Sequence, residues 1–317
     1  KDTYQYANAY YTWIAIGAVS IIFSMVPSNI LRTEGLAVQS MAGAIIGSIV
    51  NIIFDPIFIF GLNQGAAGAA MATVLGNIIA DIYYVYAVIK KSKRLTCSPS
   101  HMKITGRRVK DILMIGIPAS ITNIMQTFMM VMTNNFLLTY GTDKVAAMGI
   151  ALKVNMITAL VLVGFAFGGQ PLVGYNYGAG EYDRVKKITH TSMGLIALVM
   201  VMGMVISCAI PQQLMGLFTT SRTTMEIGGA ALRIISFGFV VSSVSVTFSG
   251  VLEGLGKGMP SLLISLARYI VVMLPVSFVL SRLLQALGVW YGFAVTEYIV
   301  AVLSYYIYKF HMRDIKG

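Results

Sequence analysis

The sequence predicts an all-α polytopic membrane protein, a helical bundle, and three observations lead there. Of 317 residues, 57% are hydrophobic and only 11% charged, with a mean hydropathy of +0.77. Soluble globular chains carry about 25% charged residues. The apolar residues gather in nine stretches. Each has at least about 20 residues, which at roughly 1.5 Å per residue crosses a hydrocarbon core of about 30 Å. The strands of a barrel would place a polar residue at every second position, and Ile14 to Val26 and Val161 to Phe167 show no such alternation. A soluble enzyme, a nucleic-acid-binding domain and a disordered chain are excluded.

In chain order the spans fall at 8–31, 37–61, 66–90, 111–139, 145–172, 187–211, 226–252, 259–282 and 287–309. The first is followed at once by Arg32. The second carries an internal proline, Pro56, and ends at Gly61. The third opens on a ridge of small residues, Gly65, Gly68, Ala72 and Gly76, which suits close helix packing. It ends at Lys90 and Lys91. The fourth carries Pro118 and the eighth Pro275, and the ninth opens at Gly288 and closes at Lys309. Cys97 lies in a basic loop and Cys208 in an apolar span, so they do not read as a disulfide framework.

Orientation follows from Lys and Arg. The segment Lys90 to Lys110 holds eight of them and no acid. With that segment cytoplasmic, the same side receives Arg32, then Arg184, Lys186 and Lys187, then Lys257, then Lys309, Arg313 and Lys316. The opposite side receives only Lys1, Lys144, Arg222 and Arg282. The net charge of +11 is therefore read as cytoplasmic loops, not as a nucleic-acid surface, and the C-terminus is expected in the cytoplasm.

Helices one to three resemble helices seven to nine. Asn29 to Gly35 aligns with Gly250 to Gly256, and Gly65, Thr73 and Tyr83 align with Gly288, Thr296 and Tyr306. The shared order is helix, glycine turn, helix with a proline, glycine turn, helix. The domain reading is a remaining half of an N-lobe over 1–90, a basic linker over 91–110 and a whole C-lobe over 111–317. Its simplest account is two pseudo-symmetric lobes of six plus six helices with the first three absent; an intact nine-helix protein is the alternative. Transporters are built from such repeats, with the substrate between them.

Ionisable groups inside a span are functional candidates. Asn51 and Asp55 are four apart and share one helix face. Counting from the turns at Gly61 and Gly65 puts Thr73 of the next helix at a similar depth. An amide, a carboxylate and a hydroxyl supply hard oxygen ligands for Na⁺, or a carboxyl that takes a proton. Pro56 removes a backbone N–H beside them and kinks the helix. Arg268 and Glu297 stand at comparable depth on neighbouring helices and are expected to form a structural ion pair. Asp81 has no evident partner. Asn123, Met125, Gln126 and Met129 are candidate cavity residues, since methionine suits variable apolar shapes. The three histidines, His101, His190 and His311, sit at loops or helix ends, and there is no nucleophile with a base, no metal cluster beyond Na⁺ at Asp55 and no phosphate loop, so an enzyme is not expected and no cofactor is implied.

These residues resemble the multidrug and toxic compound extrusion (MATE) family. The matching stretches are Leu31 to Gly35, Asn51 to Gly61, Gly65 to Thr73, Gly116 to Pro118 and Gly169 to Gly180, with the second half closest in form to its MepA-like bacterial branch. The resemblance implies a twelve-helix parent, of which this chain corresponds to helices four to twelve. It implies export of small cationic amphipathic compounds by antiport with Na⁺ or H⁺, from a monomer in the lipid of the bacterial inner membrane. It also implies a cation-coupling site at Asn51, Asp55 and Thr73, completed by an Asp of the first helix that this chain does not contain. Gln126 and Ser242 stand where one branch carries a second, C-lobe pair of carboxylates, so coupling is expected to rest on the N-lobe. Two alternatives stay open. One is a lipid-linked oligosaccharide flippase of the same superfamily, with Lys153, Arg233 and Arg268 lining a cationic cavity. The other is a membrane receptor or channel.

Overall fold

A computed structural model describes residues 2–93 and 105–313. Lys1, Arg94, Cys97, His101, Lys103 and Lys316, used in the sequence argument, lie outside them. The chain forms two compact units, Lys1–Ile104 and Thr105–Gly317. Among the described residues, nine helices are long and apolar enough to cross a membrane, and the protein is a multi-pass membrane protein.

The N-terminal unit contains α1 (Asp2–Thr33), α2 (Ala37–Pro56) continued by a π-helical turn (Ile57–Gly61), and α3 (Gly65–Lys91). All three helices pack on one another. Gly35 and Gly65 occupy left-handed backbone at φ +85° and +52° and turn the chain between them, which a side chain would strain. Gly65 therefore belongs to the turn and not to the packing ridge, because no atom lies within 4 Å of where its Cβ would stand. The ridge proper starts at Gly68. A Cβ on Gly68 would meet the Phe58 backbone at 2.7 Å, and one on Gly76 would meet the Gly47 carbonyl oxygen at 2.6 Å. These contacts let α2 and α3 approach backbone to backbone.

A bulkier residue at Gly76 must push the two helices apart. Gly76→Val is expected to lower stability by about 1–3 kcal/mol. Gly149→Val, at a position with open space around the missing Cβ, is expected to have little effect. Unfolding of the purified variants in detergent, followed by helicity, checks the pair.

The C-terminal unit contains α4 (Gly106–Leu138), α5 (Thr142–Gly178), α6 (Tyr182–Ala209), a short α7 (Pro211–Gly216), α8 (Arg222–Gly254), α9 (Gly258–Leu266), a π-helical turn (Ala267–Val272), α10 (Met273–Leu284) and α11 (Ala286–Arg313). Helix α8 is the central post, with α5, α6 and α11 packed around it. Its core includes Leu232 and Ile235 with Met148, Val289 and Trp290. The internal repeat is visible as matched local chemistry. Ser28 and Ser40 are hydrogen bonded at 2.9 Å, and Arg32 Nε donates to Ser40 Oγ at 3.0 Å. At an offset of 221 residues, Ser249 and Ser261 are bonded at 2.6 Å, and Ser261 Oγ donates to Glu253 Oε1 at 2.7 Å. The same serine frame holds a cation in one unit and an anion in the other.

Candidate functional site

The candidate site is built by the α2–α3 approach. With backbones close at Gly47 and Gly76, short polar side chains can meet. Asn51 Nδ2 donates to Thr73 Oγ1 at 3.3 Å, and Thr73 Oγ1 donates to the Ala69 carbonyl at 3.0 Å. Asp55 stands one turn beyond Asn51 on the same face of α2. Its Oδ1 is enclosed and has no hydrogen-bond partner. A buried acceptor left unpaired is costly, so this oxygen is open to a proton or a cation. Pro56 follows at once and cannot donate to the Ile52 carbonyl. The backbone then widens into the π turn Ile57–Gly61, closed by Leu62 N–H on the Ile57 carbonyl at 2.9 Å. Such turns often mark functional sites in helices. Among the described residues no cluster of three or more His, Cys, Asp or Glu exists. Asp55, Asn51 and Thr73 carry hard oxygens, the unpaired Asp55 Oδ1 being the charged one, and oxygens of this kind suit Na⁺ or, at the carboxylate, a proton.

The polar path continues where sequence reasoning found no partner. Thr73, Asn77 and Asp81 are spaced by four and share one face of α3. Asn77 Nδ2 donates to the Thr73 carbonyl at 2.8 Å and its Oδ1 accepts from Ser24 Oγ at 3.2 Å. Ser20 Oγ donates to Asp81 Oδ2 at 2.5 Å. Asp81 Oδ1 has no partner. The spacing on α3 was readable in the sequence, while the partners on α1 were not. Ser20→Ala is expected to weaken the N-terminal unit by about 1–3 kcal/mol, since it leaves a second Asp81 oxygen unpaired. Ser20→Thr keeps the donor and is expected to change stability little. Thermal unfolding in detergent distinguishes the two.

In the C-terminal unit, Arg268 Nη2 lies 3.4 Å from Glu297 Oε2, with side chains 16% and 19% exposed. Arg268 also donates to Ser245 Oγ of α8. The guanidinium sits in the π turn Ala267–Val272 and the carboxylate near the middle of α11. Near the end of α8, Glu253 accepts from Gln170 Nε2 at 2.9 Å as well as from Ser261. Sequence reasoning missed this cluster.

The four residues expected to line a cavity do not come together. Met125 and Met129 are buried within the C-terminal unit at 8% exposure each. Asn123 and Gln126 are exposed, and Asn123 Nδ2 bonds its own helix at the Ala119 carbonyl. The spacing explains it: 125 and 129 form one helical stripe, and 123 and 126 another. Lys153 is exposed on the unit's surface, and Arg233 Nε donates to the Cys208 carbonyl at 3.3 Å.

Comparison with known proteins agrees with this architecture. The MatE family model matches residues 118–279. The chain is 26% identical over 313 residues to the multidrug export protein MepA of Staphylococcus saprophyticus, covering 99% of this chain and 69% of the relative. It is 27% identical over 306 residues to the MepA of Staphylococcus haemolyticus, covering 96% and 67%. Among solved structures it superposes, at TM-score 0.92 and 25% identity, on a MOP superfamily transporter from Pyrococcus furiosus, covering 98% of this chain and 70% of that one. An outward-facing MATE family multidrug resistance transporter gives the same TM-score at 24% identity, over 97% and 70% of the two chains. With the family model matching just over half of the sequence and the fold agreeing over nearly all of it, this protein belongs to the MatE family, a family of transporters and not of enzymes.

Proposed function

We propose that the protein is a secondary active multidrug efflux transporter of the bacterial inner membrane. It exports cationic amphipathic compounds by antiport with Na⁺ or H⁺, and its C-terminus is cytoplasmic. The observation that carries this reading is the enclosed, unpartnered Asp55 Oδ1, one turn beyond the Asn51 that bonds Thr73. The similarity to multidrug export proteins supports the substrate class. Asp55 takes the coupling cation, Asn51 and Thr73 supply neutral oxygens, and neutralising the carboxylate removes the penalty for burying it. The helix can respond locally, because Pro56 and the π turn beyond it already lack regular α-helical bonding. The drug and the coupling cation then favour opposite conformations.

The flippase alternative needs a cationic cavity built from Lys153, Arg233 and Arg268. Arg268 is neutralised by Glu297 and Arg233 is tied to a backbone carbonyl, so the antiporter reading is preferred. The test is uptake of a fluorescent organic cation into proteoliposomes holding the protein, under an imposed Na⁺ or pH gradient. Antiport predicts accumulation that follows one of these gradients and collapses with it. Equal flux without a gradient would indicate a channel, and scrambling of a lipid-linked sugar without cation transport would indicate a flippase.

A further inference from the structure

The C-terminal unit holds a second built cavity, independent of the cation site. Helices α6 and α11 both pack on α8 and leave an open pocket over Val244 and Phe248, with a volume of about 550 Å³. Its rim carries Lys186, His190, Lys309 and Arg313. Deeper along the helices its wall is Met193, Val244 and Phe248, with Tyr305 and Tyr308 between and Met312 beside the rim. Among the described residues no Asp or Glu lines it. The nearby Asp183 lies 3.6 Å from Lys186, but its side chain is 91% exposed, so water screens that pair.

The two parts are layered along the helix axes. Lys309 and Arg313 belong to the last two turns of α11, and Lys186 to the second turn of α6. This is the end of the unit at which the sequence gathers its cytoplasmic basic residues. Met193 stands seven residues beyond Lys186, about 10 Å deeper. The apolar wall is firm, because the Phe248 and Tyr308 rings stack at 4.4 Å. Lys309 Nζ lies 5.7 Å from the Tyr305 ring, which places a cation over the mouth. A fitting occupant is anionic at the rim and apolar for roughly the next 10 Å. A soluble anion satisfies only the first condition.

We propose that this pocket binds an anionic phospholipid of the cytoplasmic leaflet. Lys186, Lys309 and Arg313 hold its phosphate, and an acyl chain lies along Met193, Val244 and Phe248. Basic pockets between spanning helices on the cytoplasmic side suit such headgroups.

The test uses the full chain in a neutral detergent, with fluorescent phosphatidylglycerol and phosphatidylcholine as probes and anisotropy as readout. Phosphatidylglycerol is expected to bind at least about tenfold tighter than phosphatidylcholine. The double change Lys309→Gln, Arg313→Gln is expected to weaken phosphatidylglycerol binding by roughly thirtyfold, each surface cation contributing about fivefold. Lys186→Gln alone, a surface change that the fold tolerates, is expected to weaken it about fivefold. Val244→Trp fills the apolar part without touching charge and is expected to reduce binding of the lipid. Lys144→Gln, away from the pocket, leaves binding unchanged. Equal affinity for the two lipids, or full affinity in Lys186→Gln and the double variant, overturns the proposal. Displacement by millimolar inorganic phosphate or glycerol phosphate as effective as by lipid reassigns the site to soluble anions and overturns the lipid.

Discussion

Replacing Arg268 by Ala is expected to destabilise the protein by about 3–5 kcal/mol, the largest stability effect of any single change in the C-terminal unit. The side chain is 16% exposed and its partner Glu297 19% exposed, and both lie near the middle of spanning segments. Removing one leaves the other charged in a low-dielectric setting with nothing to compensate it. The neutral Ser245 hydroxyl, which accepts from Arg268, does not replace a full positive charge beside Glu297. Glu297→Gln keeps an acceptor and shape near Arg268, so its effect is expected to be smaller than that of Glu297→Ala. The pair Arg268→Met with Glu297→Leu removes both charges and is expected to recover most of the loss, as apolar replacements of buried pairs often do. Denaturant or thermal unfolding of the four variants, read by helicity, checks this. A full-strength effect in the double variant, or none in Arg268→Ala, would assign the two residues to something other than a structural clamp.

The second large effect is functional. Asp55→Asn is expected to abolish gradient-driven export while leaving the fold and drug binding in place. The substitution conserves size and hydrogen-bonding capacity and removes only the charge. Asn51 and Thr73 already satisfy each other, so the packing of α2 on α3 does not depend on the carboxylate. Its enclosed oxygen has no partner to lose, and stability is expected to stay the same or rise. Without a charge, the site no longer discriminates between conformations with and without the coupling cation, and a ligand that binds both states equally shifts nothing. Asn51→Ala is expected to be milder, since it removes one neutral ligand and one hydrogen bond.

Much of this was legible in the sequence because a membrane simplifies the reading. Length and hydropathy place spanning helices, and glycine turns give their depth. Depth put Thr73 level with Asp55 and Arg268 level with Glu297; the structure bonds Thr73 to Asn51, one turn before Asp55, and pairs Arg268 with Glu297. The helix ends were less legible. Helix α5 runs to Gly178, beyond the expected 172, because Pro171 leaves the helix unbroken there. The two π turns leave no mark in composition. Asp81 lacked a partner on paper because Ser20 is sixty-one residues earlier and on a helix whose rotation only packing decides. For the same reason Met125 and Met129 were placed in a cavity. Periodicity showed that they share a stripe, and not which way the stripe faces.

The most direct test of the central claim is equilibrium linkage at Asp55. In an antiporter, drug affinity falls as the coupling cation binds, and by reciprocity the cation's affinity falls with drug. Binding of a fluorescent organic cation to the purified protein is titrated against Na⁺ at fixed pH and against pH at fixed Na⁺. The account predicts that one of these cations weakens drug binding by about 5–150-fold in the wild type, the usual range of such coupling. It predicts that the dependence vanishes in Asp55→Asn, with affinity held near its cation-free value. An unchanged dependence in Asp55→Asn would show that the coupling carboxylate lies elsewhere and would contradict the assignment of Asp55, Asn51 and Thr73.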